Sequence, residues 1–98
     1  MQKDPTIIAV LKINILDSPI KGIIYLLNYK EGAAGICVCR GHKSPIFETE
    51  TDTDAYHQCR EWFMSNYDGF VQVNKLTGEE EEQEIKRFED FKDCFKQT

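Results

Sequence analysis

Three clusters in this chain combine residue types and spacings that can do chemistry. The densest is Glu79, Glu80, Glu81, Glu82 and Glu84, five carboxylates in six residues. A helix start accepts some negative charge because its free amides are electropositive. Five acids exceed that need and repel one another. Such a run reads either as a solvated first turn or as an acidic surface for a basic partner.

The second cluster is Glu48, Glu50, Asp52 and Asp54, alternating with Thr49, Thr51 and Thr53. If the segment is extended, all four carboxylates share one face at intervals of roughly 7 Å. Hard divalent cations want such oxygens. The segment does not match a helical-hand calcium loop, because the obligatory glycine position falls on His57. A polar strand edge running into a helix cap competes with the metal reading.

The third set is sulfur and imidazole: Cys37, Cys39 and His42 in the first half, His57 and Cys59 in the second. Zinc takes these ligands, although structural sites favour two cysteines separated by two residues. His57 and Cys59 on a helix project about 200° apart and cannot easily share an ion. Cys59 equally suits a core, where a thiol behaves as a small apolar group. No cysteine opens a helix, and no glycine-rich elbow marks a nucleophile. Phosphate-loop and dinucleotide fingerprints are also missing from the sequence. The expectation is a protein without a cofactor, and a binder more than an enzyme.

Tyr25 and Tyr29 with Lys21, Lys30 and Arg40 come nearest to a nucleic-acid stacking platform. Residues 1–46 carry six basic and three acidic side chains, residues 47–98 six and fourteen. The net charge of −5 argues against phosphate-backbone binding, which needs a basic face. A basic first half keeps that function as an alternative.

The elements that must position these groups follow from pattern. Thr6–Leu16 is rich in β-branched residues and reads as a strand. Gly22–Tyr29, Ile36–Arg40 and Ile46–Glu50 read as three more, joined by short turns at Asp17–Pro19, Glu31–Gly35 and Gly41–Pro45. Short connections imply an antiparallel meander. The first strand places Ile7, Ala9, Leu11, Ile13 and Ile15 on one face and Ile8 and Val10 on the other. Strands apolar on both faces need two covers, either two helices or a helix and a second subunit.

Thr51 or Thr53 caps a helix running to about Asn66, with Ala55, Tyr56, Cys59, Trp62 and Phe63 as its buried stripe. Phe70–Leu76 is a fifth strand. Thr77 and Glu80 form a capping box for a last helix to about Phe95, with Ile85, Phe88, Phe91, Phe95 and Cys94 inward. The expected fold is a single α+β domain over residues 1–98, in the order ββββαβα.

No apolar run approaches the roughly 20 residues of a membrane helix. Met1–Pro5 does not resemble the start of a signal peptide. A cytoplasmic protein with reduced cysteines is expected. The leading functional expectation is a small non-enzymatic inhibitor or regulatory module that docks Glu79–Glu84 on a protein with a basic surface. The alternatives are a metal-binding domain or metal-dependent enzyme using Cys37, Cys39, His42 or the Glu48–Asp54 row, and a nucleic-acid module using the basic half. A homodimer through the two-sided sheet is a further expectation.

Overall fold

The computed structural model describes residues 6–90. β-branched and aliphatic residues build the long strands β1 (Thr6–Ile15) and β2 (Lys21–Tyr29), and mostly small residues and cysteines build β3 (Gly32–Cys39). Short pieces β4 (His42–Lys43) and β5 (Phe47–Thr49) precede helix α1 (Asp52–Asn66), strand β6 (Val71–Lys75) and helix α2 (Gly78–Phe88). The fold is the expected α+β type, with an antiparallel sheet followed by helix, strand and helix. The sheet order is β4-β3-β2-β1-β6, with β5 also on β3. No helix among the described residues is long and apolar enough to cross a membrane.

Two helices on opposite faces cover the two-sided strands. Ile13, Ile15, Ile24, Leu26, Cys37 and Cys39 pack with Ala55, Cys59 and Phe63 of α1. Val10, Tyr25, Leu27, Tyr29, Ala34 and Ile36 point the other way and pack with Leu76 and Phe88. Phe63 is fully buried, which contributes roughly 1.5–3 kcal/mol.

Strict alternation fails at one place. The β1–β2 register steps from Ile7 opposite Leu27 to Ala9 opposite Leu26, leaving Ile8 as a bulge. An extra residue inverts the face of everything before it. Ile7 therefore packs with Val10 on the α2 side and not with Ala9, Leu11 and Ile13.

The Gly32–Gly35 segment, expected as a turn, belongs to β3. The actual turn is the two-residue Lys30–Glu31, since Tyr29 pairs directly with Gly32. Gly35 is small because α1 lies on it: a Cβ there would sit 2.9 Å from Cys59 Sγ and 3.2 Å from Ala55 Cβ.

The expected fourth strand is the second half of an interrupted edge. His42 and Lys43 pair with Cys39 and Val38, and Phe47–Thr49 pair with Gly35–Ala33. Between them Ser44 holds the line. Its amide donates to the Cys37 carbonyl at 2.8 Å, and its hydroxyl accepts from the Cys37 amide at 2.9 Å. Pro45 has no amide proton to continue the ladder.

The Thr51 hydroxyl caps α1 by accepting from the Asp54 amide at 3.1 Å. Thr77 precedes α2 but makes no side-chain capping bond. Gly78 follows it at φ 64°, and a left-handed residue there turns the first amides away from the hydroxyl, so the capping box does not form. The stripe residues Phe91, Cys94 and Phe95 lie outside the described residues.

Candidate functional site: a charged cleft beside the second helix

The sulfur and imidazole groups are dispersed by burial. Cys37, Cys39 and Cys59 are reduced and buried beneath α1, whereas His42 and His57 are exposed. Burial pushes the Cys37 thiol up to about 12, with the neighbouring Cys39 adding to the shift. Burial also raises Cys59, with Cys37 as the second cause. A thiol held protonated is neither a nucleophile nor a ready metal ligand. Among the described residues no three His, Cys, Asp or Glu side chains converge as metal ligands.

The carboxylate row is broken by the helix start. Glu48 is on β5 and pairs with Lys30 at 3.2 Å, which raises the Lys30 pKa. Glu50 lies in the bend after the strand, and Asp52 and Asp54 are in the first turn of α1. Period-two alternation ends where helical rotation begins, so the four do not share a face.

The acidic run divides around α2. Glu79, Glu80 and Glu82 are exposed, and Glu81 is half-buried. None of these four has an ion-pair partner among the described residues. Glu84 turns inward. Its Oε1 accepts from the Tyr25 hydroxyl at 3.0 Å, and its Oε2 lies 3.5 Å from Arg87 Nη1. Burial, then the Glu84 charge and hydrogen bond, raise the Tyr25 pKa. Tyr25 is buried against Phe88 of α2, and Tyr29 is buried in the same cluster; the stacking platform drawn from the sequence therefore does not form.

Glu80, Gln83, Glu84 and Arg87 recur at three- and four-residue steps, so they form one flank of α2. That flank is the wall of a cleft of about 530 Å³. Ile23, Val38 and Leu76 are its apolar lining, and Lys12, Lys21 and Arg40 its cationic rim, with Lys12 in the same cross-strand row as Ile23 and Val38. Lys12 is half-buried on β1, next to Ile23 of β2 and Asn74 of β6. Lys12, Lys21 and Arg40 form no ion pair among the described residues.

Sequence reasoning missed this cleft, yet its signal was present. The face that starts as Val10, Tyr25 and Ile36 continues through Lys12, Ile23 and Val38 to Asn14 and Lys21. Reading polarity across paired strands, and not along each one, exposes the change. No family model, no curated protein and no solved structure matches the chain.

Proposed function

We propose that the protein is a small non-enzymatic binding module, of the inhibitor or regulatory kind, that presents the outer carboxylates of α2 to a protein with a basic surface. The observation that carries this reading is that Glu79, Glu80 and Glu82 are exposed and without ion-pair partners among the described residues. Concentrated charge of one sign steers an oppositely charged partner and fixes its orientation. Glu84 belongs to the intramolecular contact with Tyr25 and Arg87, and Glu81 is half-buried, so the docking set narrows to three. Buried, protonated thiols at Cys37 and Cys59 support binding over thiol chemistry.

The test compares capture of host proteins by the wild type, by the triple reversal Glu79→Lys, Glu80→Lys and Glu82→Lys, and by a control reversal of Glu50, Asp52 and Asp54. Partner retention should fall with salt and vanish in the α2 reversal alone. Retention unaffected by that reversal, or lost equally in the control, would reject the acidic-helix reading.

A further inference from the structure

α2 covers only part of its face of the sheet. The row Val10–Tyr25–Ile36 lies beneath it. The next row toward the β1–β2 turn begins with Lys12, and the one after pairs Asn14 with Lys21. Arg40 follows Cys39, which pairs with Gly22, so it leaves β3 beside Lys21. These cations come from β1, β2 and the loop that leaves β3, with diagonal neighbours on the order of 7–8 Å apart at the backbone.

We propose that the cleft between this rim and α2 binds a small organic phosphate: a phosphomonoester of about mononucleotide size whose body offers a flat face to apolar side chains. The phosphate sits on Lys12, Lys21 and Arg40, and the body rests on Ile23, Val38 and Leu76. The cleft volume of about 530 Å³ lies within the usual range for small-molecule sites. Withdrawing an ammonium from water is costly unless an anion meets it, and half-buried Lys12 has no carboxylate partner among the described residues. Three neighbouring cations match a dianion better than a single carboxylate charge. Glu80 and Glu84 stand on the opposite wall, which orients the ligand with its charge toward the sheet. Glu84 is already engaged by Tyr25 and Arg87.

The Arg40 backbone supplies a test of the assignment, not an argument for it, because Lys30 holds the same left-handed first loop position at φ 54° away from the cleft. Arg40 and Gly41 form a two-residue hairpin loop with φ of 53° and 82°. Two left-handed residues define a turn that prefers Asn, Asp or Gly at its first position. The chain instead carries arginine there, at a conformational cost, with its side chain lining the cleft.

The experiment titrates the full isotope-labelled chain with adenosine 5′-monophosphate, adenosine, inorganic phosphate and a short oligothymidylate, followed by amide shifts and calorimetry. The monophosphate should bind saturably and shift Gly22, Ile23 and Gly41. Adenosine should not bind, and inorganic phosphate should move the same amides more weakly. Lys12→Met should weaken monophosphate binding by about tenfold or more. Arg40→Asn should weaken it similarly while raising the melting temperature, because asparagine suits the turn. That pairing separates a lost contact from a damaged fold.

Equal binding of adenosine and its monophosphate, or variants that bind like the wild type, would overturn the proposal. So would saturation by oligothymidylate with none by the monophosphate, which would assign the surface to single-stranded nucleic acid. A salt-sensitive dimer dissolved by Arg40→Asn and indifferent to the monophosphate would assign it to a second copy of the chain. None of these outcomes depends on Glu79 or Glu82, so the acidic-helix reading stands or falls separately.

Discussion

The Tyr25 hydroxyl, at the centre of the sheet, donates a 3.0 Å hydrogen bond to the carboxylate of Glu84, 59 residues later in the chain. This contact joins the middle strand to α2 and turns one of five neighbouring glutamates inward. A bond to a charged acceptor in a partly dry setting is stronger than a neutral one. It fixes which flank of α2 faces the cleft.

Removing the bond should loosen α2. Tyr25→Phe is expected to cost about 1.5–3 kcal/mol, the usual range for a hydrogen bond to a charged group. Glu84→Gln should cost less, because its amide oxygen still accepts. The double variant should fall short of the sum of the two, since both break one contact. Urea denaturation of the four proteins measures this, and strict additivity would mean that the contact contributes nothing.

The approach of α1 to β3 at Gly35 predicts a second coupling. Gly35→Ala puts a methyl 2.9 Å from Cys59 Sγ and should destabilise by about 1–3 kcal/mol through overpacking. Cys59→Ala should recover part of that loss in the double variant, although it opens space elsewhere. Melting temperatures across the cycle provide the readout, with about 4–8 °C expected per kcal/mol at this chain length.

Alkaline pH should unfold the protein by way of its buried acids. The Cys37 thiol is raised to about 12 from an ordinary 9.0, and Cys59 and Tyr25 are also raised. Each group binds its proton more tightly when folded. Their stabilisation is therefore complete below pH 9.0 and is lost as pH climbs from there toward the folded values. Each thiol that ionises only in the unfolded chain adds a slope of about 1.4 kcal/mol per pH unit. Thermal melts should be flat near neutrality and fall steeply beyond pH 9.0.

Thiol labelling gives an independent check on the same burial. In a Cys94→Ser variant, Cys37, Cys39 and Cys59 should resist a thiol reagent in buffer and react together in denaturant. Rapid labelling of one of them under native conditions would place that residue at the surface.

Much of the architecture was legible because apolar runs and turn residues act locally. The doubled apolar faces of β1 and β2 called for two covers, and α1 and α2 supply them. Thr51 announced its cap through chemistry that needs only three residues. Gly32–Gly35 misled because glycine marks turns, whereas Gly35 answers to a helix 20 residues away along the chain. The Ile8 bulge left no local mark, being set by how β1 registers against β2. The acidic run was visible at once, but its division between Tyr25, the cleft and solvent depends on tertiary placement. The cleft itself needed three strands in register before Lys12, Lys21 and Arg40 became neighbours.

The interrupted edge formed by His42–Lys43, Ser44–Pro45 and Phe47–Thr49 gives the sheet a direction of growth. A proline and a broken ladder cannot template an added strand. The opposite margin, β6, is continuous from Val71 to Lys75, and Phe70 just before it is 82% exposed. Among the described residues β6 has no strand on its outer side, so two copies joined β6 to β6 would present only the interrupted edges outward. A copy added through β6 would therefore meet an interrupted ladder on its far side, and edge pairing of that kind would stop at two copies.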